Sequence, residues 1–335
     1  MALVDVVVIN YNAGPWLSKV VASLHAQTFR DFRVIIVDNG STDASLDGLP
    51  SGPTNLQIVR LGRNLGFAGG NNYAIRNLVT ANWLALLNPD AFPHREWLEQ
   101  FIAAANTSPQ FNSFGCRMLD AKDPSHLDGV GDVYHVSGLS WREGHGCVDG
   151  SAYDSPQEIF SPCGAAALYR TKDVVDVGLF DEDYFCYSED VDLGFRLRLA
   201  GGRCLYVPQA VVEHLGSGIT GSRSDFQLYY GHRNLAWTYL KNMPGWLFWF
   251  YLPYHLLLNC YSLVAFTLRG RARPLWRAKR DAIAGLPRAW SKRREIQARR
   301  TLPPRELRRV MRRGMIRKTC RHTTNVSEAP RDSSL

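Results

Sequence analysis

Val4-Asp5-Val6-Val7-Val8-Ile9-Asn10-Tyr11-Asn12 and, after a helix-like span, Val34-Ile35-Ile36-Val37-Asp38-Asn39-Gly40-Ser41-Thr42-Asp43 decide how this chain reads. Each is an apolar run of strand length that stops abruptly in polar residues. In open α/β sheets the carboxyl ends of the strands face the crevice where ligands bind, so Asn10, Asn12 and Asp38 are expected to project into one cleft. A carboxylate at position 38 can accept the imide N–H of a uracil or thymine ring. Gly40 would let the backbone turn close to that ligand.

Working outward, the same rhythm continues. Strands are expected at Val4–Ile9, Val34–Val37, Gln57–Leu61 and Trp83–Leu87, with helices over Pro15–Gln27, Ala68–Thr80 and Arg95–Ala105. Strands alternating with helices across short connections imply a mostly parallel sheet flanked by helices. The first helix opens at Gly14-Pro15, where proline's fixed φ suits the first turn. Leu119 to Phe160, rich in Gly, Asp and Ser, has no legible strand pattern and is expected to carry acceptor-facing loops. Apolar patterning returns at Cys163–Tyr169, Arg203–Val207 and Val211–Val212, which extend the sheet.

Three further clusters carry chemistry. Asn64-Leu65-Gly66-Phe67-Ala68-Gly69-Gly70-Asn71-Asn72 follows a strand and opens a helix, and helix amino termini favour anions. Asn64, Gly69, Gly70 and Asn71 are therefore expected beside a diphosphate. Leu87-Asn88-Pro89-Asp90-Ala91 ends the fourth strand, and Asp90 is the best candidate to hold a hard cation, Mg²⁺ or Mn²⁺, against phosphate oxygens. Ser188 would cap the helix that follows it, which puts Glu189 and Asp190 in a first turn whose positive end attracts carboxylates. Acids at such positions also serve as plain helix stabilisers; as chemistry, they suit a general base. His214, at the end of a later strand, could complete the metal site.

Composition bounds the rest. With 335 residues and 45% hydrophobic content the chain can bury a large core, which excludes disorder of the whole. Seven cysteines, at 116, 147, 163, 186, 204, 260 and 320, show no C-x-x-C spacing and read as reduced cytosolic thiols. Met1-Ala2-Leu3-Val4-Asp5 has no basic region of a signal peptide, so the catalytic part is expected to stay in the cytoplasm. The net charge is +8, yet residues 269–321 hold twenty Lys and Arg against three acids, a local +17 that leaves −9 for the remainder. Such a block seeks a polyanion, nucleic acid or an anionic membrane. The segment before it decides: Pro244 to Leu268 is apolar and aromatic, with no acid or base but His255, so a membrane surface is expected and nucleic acid is not. Pro253, His255 and Asn259 interrupt it, which favours an interfacial or re-entrant hairpin over a span. The expected organisation is a catalytic domain at 1–240, an apolar membrane-associating segment at 241–270 and a basic tail at 271–335, helical and then disordered.

In their order, Val8-Ile9-Asn10-Tyr11-Asn12, Val37-Asp38-Asn39-Gly40-Ser41-Thr42-Asp43, Asn64 to Asn72, Leu87-Asn88-Pro89-Asp90-Ala91 and Ser188-Glu189-Asp190-Val191-Asp192 resemble glycosyltransferase family 2 over residues 4–240, most closely its rhamnosyltransferase-like branch. The resemblance implies a Rossmann-like GT-A fold and an inverting transfer from a nucleotide diphosphate sugar. It implies that Asp38 contacts the base, Asp90 the metal and diphosphate, that Asp190 with Glu189 beside it is the catalytic base, and that His214 binds the metal. The usual Asp-x-Asp is here Asn88-Pro89-Asp90, one charged ligand fewer. The donor favoured is dTDP-L-rhamnose, with another UDP or dTDP sugar as the alternative, and the acceptor a glycan or polyprenyl-linked molecule at the cytoplasmic face of a membrane, which the protein would join peripherally or monotopically. Arg170 and Arg233 could meet anionic parts of the acceptor. A nucleotidyltransferase would need a basic glycine-rich loop after the first strand, which Asn12-Ala13-Gly14-Pro15 lacks. An inactive adaptor would need only the apolar segment and the tail.

Overall fold

The computed structural model describes residues 2–216, 224–315 and 320. In chain order the elements are β1 (Val4–Asn10), α1 (Trp16–His25), β2 (Phe32–Asp38), β3 (Asn55–Arg60), α2 (Gly66–Asn77), β4 (Trp83–Leu87), β5 (Ala91–Pro93) and α3 (Trp97–Thr107). Then come β6 (Ser113–Asp120), β7 (Asp123–Gly129), β8 (Asp132–Tyr134), β9 (Ser140–Arg142), β10 (Gln157–Ile159), β11 (Ala166–Arg170), α4 (Thr171–Asp176), α5 (Glu189–Leu199) and β12 (Cys204–His214). Helices α6 (Asp225–Asn242), α7 (Gly245–Leu268), α8 (Ala272–Ala284), α9 (Leu286–Ala298) and α10 (Pro304–Val310) complete the described part.

The four strands expected from the apolar runs form the parallel block β3-β2-β1-β4, in register with Asn10 opposite Asp38 and Val8 opposite Leu87. The sheet continues through β11, antiparallel to both neighbours, then β6, β12 and β10. Both faces of the central strands are buried, so their side chains run continuously apolar instead of alternating. Val6, Val8, Val34 and Ile36 pack toward α1 and α3, and Val7, Ile35 and Leu86 toward α2, α4 and α5. The expected Arg203–Val207 and Val211–Val212 segments are one strand, β12, with a bulge between Val207 and Val211. The illegible stretch from Leu119 to Phe160 holds four short strands whose alternation is too brief to read.

Three expectations are corrected. The apolar segment is no hairpin: α7 is one continuous helix that accommodates Pro253, and among the described residues no helix is long and apolar enough to cross a membrane. Its polar interruptions face inward, where His255 Nδ1 meets the Ser137 carbonyl at 2.8 Å and the ring stacks on Tyr239. Second, the cysteines are not all free. Arg312 pairs with the 134–136 backbone, which brings the chain end back across β8 toward Cys147, and Cys147 and Cys320 form a disulfide that a separation of 173 residues hides from any spacing rule. Third, much of the basic segment is not a solvated polyanion-seeking face. Arg288 and Lys292 pair with Asp183 at 2.5 and 2.6 Å, and Arg293 donates to the carbonyls of Leu240 and Met243. The disorder expected over residues 322–335 falls outside the described residues.

Charge at the buried seam joins these parts. Asp192 of α5, fully buried, accepts from Arg196 Nε at 2.9 Å, Asn242 Nδ2 at 2.7 Å and the buried Lys241 ammonium at 2.9 Å, while Lys241 also pairs with Asp181. Burial works against the ionised Asp192, but Lys241 and Arg196 outweigh it and hold its pKa below the ordinary value. Breaking a buried pair strands a charge, so Lys241→Met is expected to destabilise the protein by about 3–5 kcal/mol at neutral pH. Because depressed carboxylates stabilise above their unfolded pKa, this loss shrinks as acid protonates Asp181 and Asp192. Urea denaturation of both proteins at neutral and acidic pH measures it; an equal deficit at both would refute it.

Candidate active site

The ends of β1 and β2 are stitched before any ligand arrives. Asn10 donates through Nδ2 to Asp38 Oδ1 at 2.9 Å and Ser45 Oγ at 2.8 Å, and Asn12 accepts the Thr42 N–H at 2.8 Å. These asparagines position the loops. Asp38 Oδ2 makes no protein hydrogen bond among the described residues. Gly40, at φ +80°, is required by its neighbour: a Cβ there would stand 2.9 Å from the backbone carbonyl carbon of Arg63.

The diphosphate cradle expected at the start of α2 is corrected by the same accounting. The N–H of Leu65 bonds Asn39 Oδ1 at 2.9 Å, that of Gly66 bonds Asn64 Oδ1 at 2.8 Å, and that of Ala68 bonds the Phe185 carbonyl at 3.4 Å. With those donors taken, the helix end has little left for an anion. Gly69 and Gly70 serve packing, since a Cβ on Gly70 would lie 3.0 Å from Ile9. Asn71 bonds back to the Phe67 carbonyl and leaves a buried Oδ1 without a partner.

Across the sheet, the Asn88 N–H donates to the Ala165 carbonyl and fixes the turn that presents Asp90. β12 brings His214 beside it, with Nε2 3.4 Å from Asp90 Oδ1 and Nδ1 2.7 Å from Asp128 Oδ2. All three are buried. A ligating histidine commonly gives its other ring nitrogen to a carboxylate, which is what Asp128 accepts here. The two carboxylates raise the His214 pKa against its burial, so a cation binding there would displace a proton. Among the described residues no three His, Cys, Asp or Glu side chains could hold a metal unaided. The pair therefore fits a Mg²⁺ or Mn²⁺ that takes its remaining ligands from phosphates and water.

Asp190 enters the same edge from α5. Its Oδ2 accepts the Gly164 N–H at 2.9 Å, one residue from the Ala165 carbonyl that anchors Asn88. Ser188 stands at the N-cap but is left-handed, φ 65°, and its side chain caps nothing, which corrects that expectation. Glu189 differs sharply from its neighbour. It is buried, Oε2 has no partner, and burial together with Asp190 pushes its pKa well above the ordinary value.

Sequence reading missed Asp128, Asp132 and Arg142, all in the illegible stretch. Arg142 bonds Asp128 and feels Asp132 and Asp190, while burial and Asp190 keep Asp132 protonated well above the usual range. The signal available was Asp128-Gly129-Val130-Gly131-Asp132, two acids bracketed by glycines. The two acceptor arginines are corrected. Arg170 lies opposite Trp83, at the amino end of β4 and so at the far edge of the sheet. Arg233 donates to the carbonyls of Asp183 and Tyr184, holding the loop before Ser188.

The contrast between Glu189 and Asp190 is testable. A carboxyl whose folded pKa is raised stabilises the protein below the unfolded value of 4.5 and loses that contribution as pH climbs toward the folded one. Relative to wild type, Glu189→Gln is therefore expected to gain stability between pH 4.5 and neutrality. Thermal denaturation across that range checks it, and a pH-independent difference would contradict it.

The sequence profile of Glycosyl transferase family 2 matches residues 5–174, half of the chain. N-acetylglucosaminyl-diphospho-decaprenol L-rhamnosyltransferase of Mycobacterium tuberculosis is 29% identical over 271 residues, covering 73% of this chain and 86% of that enzyme. Among solved structures, S. aureus TarS residues 1–349 in complex with UDP-GlcNAc superposes with a TM-score of 0.56 at 18% identity, over 88% of this chain and 87% of that one. The mannosyltransferase PcManGT from Pyrobaculum calidifontis, with GDP-Man and Mn²⁺, gives 0.52 at 16% identity over 89% and 86%. The last two show the fold alone, and it is the Rossmann-like GT-A architecture expected. On profile, fold and edge geometry together, this chain belongs to glycosyltransferase family 2.

Proposed function

We propose that the protein transfers L-rhamnose from dTDP-L-rhamnose to a lipid-linked glycan during cell-surface polysaccharide synthesis, by a single displacement that inverts the anomeric centre. The observation that carries this reading is the Asp190 carboxylate, tied through Gly164 and Ala165 to the turn holding Asp90. The relative from M. tuberculosis, an L-rhamnosyltransferase by name, supports the sugar.

In this mechanism Asp38 reads the imide of the pyrimidine. Asp190 accepts the proton of the acceptor hydroxyl as its oxygen attacks the anomeric carbon, a positioned-base contribution of about 10²–10⁴-fold. Asp90 and His214 would hold Mg²⁺ or Mn²⁺, which would supply positive charge to stabilise a departing diphosphate. Burial and the charge of Asp190 push the Glu189 and Asp132 carboxyls well above their ordinary pKa values. Asp38 reads uracil and thymine alike, so another UDP or dTDP sugar is the second reading, favoured by the UDP-GlcNAc complex of TarS. An inactive adaptor is disfavoured because base, metal pair and pyrimidine acid all stand at one edge.

The acceptor side turns on α7. Leu257, Tyr261, Val264 and Leu268 are 59–83% exposed and recur along one helical stripe. A stripe of that size on a helix flanked by arginines suits an anionic bilayer surface, with the protein lying peripherally or monotopically on the cytoplasmic face.

Asp190→Asn is expected to lower kcat about 10²–10⁴-fold with nucleotide affinity unchanged. NMR of the wild-type product should show an inverted anomeric configuration; retained activity in the variant, or a retained configuration, would overturn the mechanism. Asp128→Asn, which keeps the shape of the side chain between His214 and Arg142 but removes its charge, is expected to weaken activation by Mn²⁺ about 10–100-fold, read from a metal titration of initial rates.

A further inference from the structure

Helix α6 and the last turn of α7 enclose a cavity of about 790 Å³ whose walls include Ser188, Gln227, His232, Phe266, Arg269 and Arg271. Ser188, directly before Glu189 and Asp190, is one of the lining residues, so the cavity borders the amino terminus of α5. Arg269 and Arg271, just past the exposed stripe of α7, line it too. Among the described residues the lining carries these two guanidiniums and no carboxylate. Arg269 lies over the Phe266 ring, 5.7 Å from its centre, with no carboxylate partner among the described residues. Arg271 pairs with Asp225 at 2.5 Å, but that carboxylate is 72% exposed and readily exchanged.

Behind this wall the charge is again one-sided. Lys279 is held by the His232 carbonyl and by Asn259, with no carboxylate partner among the described residues, and burial pushes its pKa down to about 8. Burial and Lys279 together push the His232 imidazole down to about 4, so it stands neutral in the cavity wall. A cationic wall, with Arg269 free of a carboxylate partner among the described residues and Arg271 held only by an exposed one, favours an anionic ligand. The apolar path from the pocket runs outward along Leu257, Tyr261, Val264 and Leu268, which suits a ligand with a long hydrocarbon chain.

We infer that this cavity is the headgroup site of the acceptor, taking the diphosphate of an isoprenoid-linked molecule on Arg269 and Arg271 while its tail leaves along the exposed stripe of α7. The inference rests on the reading of the protein as a transferase acting on a lipid-linked acceptor. It replaces Arg170 and Arg233, whose guanidiniums the fold uses elsewhere. The cavity then orders the substrate: phosphates at the arginines, first sugar toward Ser188 and Asp190, chain in the bilayer surface.

The test uses the full chain with farnesyl diphosphate, inorganic pyrophosphate and phosphatidylglycerol vesicles as probes. Farnesyl diphosphate should bind more tightly than pyrophosphate, and Arg269→Gln with Arg271→Gln should weaken it by about tenfold or more, as losing charge-assisted hydrogen bonds implies. UDP or dTDP binding and the melting temperature should not change. Arg269→Gln alone, which breaks no ion pair of the fold, keeps the test valid if the double variant unfolds, and in turnover it should raise the acceptor KM with little change in kcat. Unchanged farnesyl diphosphate affinity in the variants, or equal competition by phosphatidylglycerol vesicles, would overturn the site. Wild-type protein that bound no pyrimidine nucleotide would instead sink the transferase reading, a distinguishable failure.

Discussion

The structure depends on one buried cation, Lys241, shared between Asp181 and Asp192. An ammonium enclosed among apolar groups is tolerable only with its partners in place, which fixes α6 against α5 to within hydrogen-bond tolerance. That constraint propagates. Asp192 sits two residues beyond Asp190, so whatever sets Asp192 also sets the angle at which Asp190 meets Gly164. On the other side Asp181 receives Lys292 as well, so α9, from the basic segment, becomes a brace for α5. Tyr184, bonded to Thr238 and within 3.2 Å of Asp192, ties the loop before α5 into the same seam.

The polar edge of the sheet follows a similar logic. Asn10, Asn12, Asn39 and Asn64 direct their amides at one another's loops and at Asp38, leaving few donors unassigned. A site assembled this way is organised before substrate binds, which limits the reorganisation left for the reaction itself. It also explains why glycine and asparagine crowd motifs that look like ligand contacts. Gly40 and Gly66 permit backbone approach to Arg63 and Phe185, and a Cβ on Gly66 would come within 2.4 Å of the Phe185 carbonyl oxygen.

What sequence disclosed and what it hid divide along physical lines. The parallel strands were legible because burial on both faces leaves long apolar runs, and Asp38, Asp90, Asp190 and His214 because each ends a strand or opens a helix. Asp128 and Arg142 were not, since β7 has no apolar alternation, β9 is only three residues long, and His214, the partner of Asp128, lies far along the chain. Ser188 looked like a cap because serine favours that position, yet the left-handed backbone there turns its hydroxyl away from the helix amides. Lys292 and Arg288 read as solvated charge because nothing in a local window reveals that Asp181 and Asp183 will face them.

This division of the basic segment bears on how the protein meets its acceptor. Arg288, Lys292 and Arg293 of α9 are consumed within the fold, whereas Arg269, Arg273, Arg277 and Arg280, at the end of α7 and along α8, stay exposed. Of these, Arg277 and Arg280 reach only Asp281, a weak exposed partner. The positive field and the apolar stripe thus converge at one end of one helix, and that end borders the cavity leading to Ser188. A bilayer contacted there would present headgroups to the arginines and hydrocarbon to Leu257, Tyr261, Val264 and Leu268 in a single orientation. Binding the surface and aligning the acceptor with Asp190 would then be one event.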